Sequence, residues 1–475
     1  MTSRNNLLKS SIVLSLFVLA ALAGCSGQSG PPAGLSKTGA PPGVEARIFV
    51  GNTNGKVSVI EQGSDGNPIA ETIDLFSSVG DMASSTRNHI FVNMGSTNQT
   101  AALDPVGATA VFKKFIAVGQ RPVHIYRESP DGTRIWVLND ADPSTGIDTV
   151  TSACNTAQAG SVSVIQNHDE GGDETGNAGE VLKTICIGKG HHKAAFSYPT
   201  SAAPTVPLRA FVSSIKEGTI SVIDNDPASP TYLTVIGTID LCDSAGEAAQ
   251  GKPACDSNPA TSNNAGPHGM FFSPVSGKLY NNNESYGTEN VIDPATLAIE
   301  ATVNIGPASA THITPDARFI VVRGTDTQSD PARITGNLAV INVADNSVTI
   351  TNLPDVSPGD LAFTSDGAKL YVASAASGNT AQKASQKSNV VQVFDTTALP
   401  TLTLIKEIGI GSTTAGRVIG LQEHDGTAEH LFATNRTDGT VSVIDAKTDT
   451  AINTVQVGGT PTSLLVFSME GDLSH

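Results

Sequence analysis

Positive charge is scarce in this sequence: 28 Lys and Arg stand against 45 Asp and Glu, for a formal net charge of −17. Nucleic acid is thereby excluded as a partner, because a phosphate backbone is held by a surplus of Lys and Arg. Cysteine occurs 5 times in 475 residues, too sparsely for a fold built on disulfides. Charged residues make up only 15% and hydrophobic ones 39%, which excludes disorder for the bulk of the chain and leaves apolar material for a large core. The apolar run Ile12 to Leu22 falls well short of the roughly 20 residues that span a bilayer. Catalytic signatures are missing too: there is no CxxCH, no HExxH, no GxSxG on a strand-to-helix turn, and no Ser/His/Asp order that can be placed. Gly246 to Lys252, GEAAQGK, has phosphate-loop spacing, but Pro253 stands where Ser or Thr would hold Mg²⁺, so the match is chance.

What is present starts at the N-terminus. Arg4 and Lys9 precede the apolar run, and Leu22-Ala23-Gly24 stands directly before Cys25, which is signal-peptide anatomy. The LAGC sequence resembles the lipobox of bacterial lipoprotein precursors. That resemblance implies removal of residues 1–24 and a diacylglycerol on Cys25, hence an extracytoplasmic, membrane-anchored protein on the periplasmic side of an outer membrane or at the cell surface. Residues 25–45 are rich in Gly, Pro and Ser and read as a flexible tether. The acidic body is expected to float off an anionic membrane surface.

From residue 46 to 468 the chain repeats itself, and residues 469–475 form a tail. A short β-branched run ending in a polar residue recurs eight times, ending at Glu61, Asp104, Gln166, Asp224, Asp293, Asn342, Asp395 and Asp445. Val and Ile at this density favour strands, and the terminal polar side chain can accept a bond from its own backbone two residues on and open a turn. Upstream of each lies a second run such as RIFVGN, RIWVLN or KLYVAS, preceded by turns such as SPDG at Ser129 or TSDG at Thr364. Four antiparallel strands per unit, A to D, predict an all-β fold, a β-propeller. Eight blades are expected, with seven as the alternative if Gly80 to Gly119 is irregular. The chain starts in a strand B at Arg47 and ends in an isolated strand A, Thr460 to Phe467, so the last strand is expected to complete the first blade and remove a free edge. No helical period competes.

TVSVIDAKTDTAINTVQVGGTPTSLLVFS, with GPHGMFFSPVSGKLYNNN and SPDGTRIWVLND, resembles the YVTN class of bacterial propeller repeats, and the resemblance covers nearly all of residues 46–468. At fold level the class is similar to the haem propeller of dissimilatory nitrite reductase and the copper propellers of nitrous oxide reductase. The single Trp departs from quinoprotein and WD-repeat patterns, where Trp recurs in each blade. The resemblance implies the fold; function has to come from the sites.

In a propeller the D-to-A and B-to-C connections share one face. Residues 140–160, 324–336 and 374–389 (B-to-C) and 242–266 (D-to-A) put four long insertions on that top face, against one, the acidic stretch 168–180, on the other. His124, His192 and His268 each stand five residues before Ser129, Ser197 and Ser273 at the A-to-B turns, with His191 beside His192, while His312 is out of register. Imidazole at the channel mouth makes His124, His191, His192 and His268 candidate ligands of copper or a haem. Strand starts two blades apart lie about 17 to 18 Å from each other, so one ion cannot touch both His124 and His268. In an oxidising compartment the cysteines are expected to pair as Cys154 with Cys186 and Cys242 with Cys255. The functional expectation is a binding or recognition module with a protein or small-ligand partner on the top face. A metal- or haem-dependent oxidoreductase and a structural envelope protein are the alternatives.

Overall fold

Eight four-stranded antiparallel sheets follow one another along the chain and close into a β-propeller. The computed structural model describes residues 43–468 except 64–65, 67, 86–88, 106–109, 131, 133, 167–178, 191–192, 412–417 and 425. The signal segment, Cys25, most of the tether, the tail, His191, His192 and most of the acidic stretch lie outside the described residues. Blade I consists, from the centre outward, of Pro461–Ser468, Val44–Asn52, Lys56–Gly63 and Ile69–Asp74. Blades II to VIII have the inner strands Val79–Ser84, Pro122–Arg127, Ala194–Ser197, Pro267–Ser273, Ala310–Ile313, Ser357–Phe363 and Ile419–His424, each followed in sequence by its other three. The segment from Gly80 to Gly119, the weakest repeat in sequence, forms a complete blade II, so the ring has eight blades.

The repeated run is strand C throughout. Thr440–Asp445, TVSVID, is buried along almost its whole length because a neighbouring blade covers each face, whereas the outer strand Thr450–Gln456 is largely exposed. The Asp445 carboxylate accepts the N–H groups of Lys447 and Thr448 at 2.9 and 2.8 Å, and Asp293 does the same for Ala295 and Thr296 at 2.8 Å each. This is the turn chemistry that short polar side chains supply. At the other end of strand B an Asn recurs: Asn139 donates to Ser161 and Asn435 to Thr440 and Ser442, all within strand C of the same blade.

The core is divided. Among the described residues eight apolar clusters occur, each between two adjacent blades, from Phe49 with Val79 and Met82 at I and II to Phe432 with Ile48 and Val466 at VIII and I. The basic residue opening strand B ties blades together: fully buried Arg47 holds Glu61 at 2.8 Å and donates to Pro105 O of blade II, and Lys369 of blade VII reaches Asp449 of blade VIII at 2.8 Å. Closure follows the expected route, with Phe49 opposite Leu465 and Arg47 opposite Phe467 in one antiparallel register.

Candidate functional site

Strand A starts and strand B ends on the top face, and the three helices of the described residues all lie there, in B-to-C or D-to-A connections: Ser152–Ala157, Ser244–Ala249 and Thr380–Ser385. Each has six residues, too few to leave a helical period in the sequence, and too few to be stable without tertiary support. That support is visible. Cys154 in the first helix is bonded to Cys186 at the end of blade III's outer strand, and Cys242 to Cys255 across the second loop, so both expected disulfides form. Buried Glu247 accepts the Asn264 N–H at 2.8 Å and the Tyr286 hydroxyl at 2.8 Å, fixing the second loop to blade V. In the third, Asn379 and Gln382 form a capping box, and Gln382 also donates to Asp330 O and Thr327 O of the neighbouring loop.

Inside this wall lies the channel mouth. The pairing of strand A with strand B shifts register near the top of blades I, II, III, V and VII, at residues 461–463, 79–82, 122–124, 267–269 and 358–361. A bulge re-aims a side chain at a rim, and these five bring Thr462, Asp81, His124, His268 and Asp360 to the mouth, all half-buried. His124 Nδ1 lies 3.3 Å from Asp81 Oδ2, and its Nε2 lies 3.2 Å from Lys193 Nζ, a chain across blades II, III and IV. An ammonium only donates, so Nε2 accepts and the Nδ1 proton faces Asp81. His268 is the extra residue of its bulge; Nδ1 is 2.5 Å from Ser309 O and 3.3 Å from Glu284 Oε2. Donation to a carbonyl leaves the lone pair on Nε2, the tautomer suited to ligating. Arg323 joins blades VI and VII, donating to Pro358 O at 3.1 Å.

Of the four histidines singled out in sequence, two are described, and they stand in blades III and V with separate partners. Among the described residues no group of three or more His, Cys, Asp or Glu could hold a metal ion. His312 lies on the inner strand of blade VI, its ring stacked on Phe271 at 6.5 Å. The sequence reading missed Lys193, Glu284 and Arg323, and passed over Asp81 and Asp360 although each follows a Gly at the same place in its repeat.

Behind the mouth, Glu289 is fully buried between blades V and VI, and the Thr311 hydroxyl donates to its carboxylate at 3.4 and 3.5 Å. Burial drives its pKa well above the ordinary carboxylate value, and Thr311 offsets this only in part. The folded state then keeps a proton that the unfolded state releases, so stability falls as pH rises through the unfolded-state value, by about 1.4 kcal/mol per pH unit until the folded-state value is reached. Glu289→Gln is expected to match the wild type near pH 4 and to be the more stable at pH 8, as read by urea unfolding at both.

No family model and no curated protein matches the chain. Solved structures do. The dihydro-haem d1 dehydrogenase NirN in complex with DHE aligns over 92% of this chain and 77% of its own, at TM-score 0.57 and 10% identity. Apo AztD from Citrobacter koseri aligns over 91% and 99%, at TM-score 0.54 and 12% identity. A protein from Lactobacillus plantarum aligns over 89% and 100%, at 0.51 and 12%. These likenesses show the fold alone. Only the first of these names states an activity, so the chemistry of this chain has to be argued from its own residues.

Proposed function

We propose that the chain is an extracytoplasmic, lipid-anchored β-propeller that works as a recognition module through its top face. One observation carries this: the disulfide-pinned and helix-bearing connections all stand on the face where the charged mouth opens, whereas on the other face the described connections, the longest being residues 198–208 and 225–234, hold no helix and no disulfide. Long ordered loops on a rigid scaffold are where binding concentrates. Anchoring through Cys25 would present that face to partners in the envelope while the tether sets the reach. A photo-crosslinking amino acid at Ala248 or Thr380, both exposed on the top loops, is expected to give discrete adducts in the native envelope, and one at Thr448, on the underside, none. Equal labelling from both faces would remove the reading.

The metal- or haem-dependent reading retains one specific support, the Nε2 lone pair that Ser309 O imposes on His268. At His124 a cation would have to displace the Lys193 ammonium. His191 and His192 complete that candidate set. Metal content and the visible spectrum of protein from the native compartment, with and without His268→Ala, test it: stoichiometric copper or a haem band lost in the variant would favour this reading.

A further inference from the structure

Phe76 sits in the connection from blade I to blade II with φ 58° and a side chain 82% exposed. In the corresponding connections of blades V, VII and VIII the residue after the last buried aliphatic, Ile305, Ile410 or Val457, is Gly306, Gly411 or Gly458, with φ 71°, 57° and 70°. The backbone is the one those three blades use, and glycine adopts it without strain, whereas a Phe there is strained. Asp74 accepts the Phe76 N–H at 2.9 Å, and Leu75 donates to Gly55 O at 2.8 Å, so the turn is pinned on both sides. The ring fills no core. A strained, solvent-facing aromatic where blades V, VII and VIII use glycine points to use by a ligand.

The surroundings say which ligand. The four connections about the ring, 53–55, 75–78, 95–98 and 457–460, hold no charged residue in a protein at −17. They present hydroxyls and amides instead: Thr53, Asn54, Ser78, Ser96 and Thr97 are exposed, and the Ser77 and Ser96 hydroxyls, 2.6 Å apart, tie two of the connections together. The flanking charges, Lys56 and Asp74, stand opposite each other at the edge of the connections and offset one another, so an ion finds no net counter-charge here. A protein partner needs about 800 Å² of surface per side and clustered anchors, but Phe76 is the only exposed large apolar residue on these connections. A pyranose matches both features, with a C–H face to lie on the aromatic ring and hydroxyl edges to pair with Asn, Ser and Thr.

We propose that Phe76 and the uncharged connections of blades I, II and VIII form a binding site for a neutral saccharide. This rests on the top-face reading above and names its ligand class. The test is a microarray of neutral and charged oligosaccharides probed with the full chain, followed by calorimetry on the best neutral binder with the Phe76→Gly and Phe76→Trp variants. Neutral oligosaccharides are expected to bind with an affinity unchanged by a roughly tenfold rise in salt. Phe76→Gly should weaken binding by about tenfold or more while melting no lower than the wild type, since glycine relieves the backbone; Phe76→Trp should keep binding. Three results overturn the inference: a blank array, binding to charged glycans only, or binding that Phe76→Gly leaves intact. Self-association abolished by Phe76→Gly also overturns it, by making a second copy the occupant. If the array is blank yet the top-loop cross-links form, the saccharide fails and the recognition reading stands; if both are blank, both fail.

Discussion

Deletion of residues 461–475 is expected to abolish the cooperatively folded monomer. The strand it removes contributes Leu464, Leu465, Val466 and Phe467, all buried, to the two clusters that flank blade I. At about 1.5 to 3 kcal/mol for each buried apolar side chain, their loss is of order 6 to 12 kcal/mol, comparable with the whole net stability of a typical domain. The strand Val44–Asn52 would also be left with an unpaired edge beside the open channel. Size-exclusion chromatography should show oligomers or aggregate in place of a monomer, with near-UV circular dichroism lost. A peptide of residues 460–468 added in trans is expected to restore part of the monomer, since strand addition replaces the missing ladder. A truncated chain that melts as the full one does would mean that the ring is held without its clasp.

The second large effect is expected at Glu128, which follows the inner strand of blade III and is only 3% exposed. Its carboxylate takes the Arg134 guanidinium through two contacts, the Trp136 indole N–H at 2.9 Å, and the Asn225 amide of blade IV at 3.0 Å. Arg134 in turn meets Tyr232. Glu128→Ala leaves three buried or nearly buried donors without their acceptor, and removing one partner of such a network costs about 3 to 5 kcal/mol. The urea midpoint should fall markedly, and the fluorescence of the single Trp should shift red as its indole reaches water. Glu128→Gln, which keeps an acceptor oxygen, is expected to lose less.

The blades were legible because their signal is local and repeated. Strand C with its closing Asp or Asn is a few residues long, its periodicity is that of a fully covered strand, and each copy supports the others, so even the irregular stretch from Gly80 to Gly119 could be placed. The clasp was legible for the same reason: a strand A without its B, C and D needs a partner at the other end. The two disulfides could be placed once the strand ends had been assigned to a face. The mouth was harder to read. Asp81, His124 and Lys193 come from three blades and three offsets from their nearest turn, and bulges bring them together where strict alternation would not. Counting histidines back from the A-to-B turns found two of the mouth residues and treated as one register positions that differ: His124 is paired opposite Leu138, while His268 stands between pairs. The three helices are held by contacts made far away in sequence, which no window of residues reveals.

The clasp also sets a schedule. A chain that emerges N-terminus first offers strand Val44–Asn52 before any other described strand, yet its inner neighbour, Pro461–Ser468, appears only after all the others. Blades II to VIII can form in order as they are delivered, each on the face of the one before, while blade I waits through the whole of synthesis with one edge bare. Contact order is therefore high at this single joint and low elsewhere, which makes the joining of the ends the expected slow step of folding. Until that step a holding chaperone has one obvious place to bind, and a message cut short at any point upstream yields a product that can never finish.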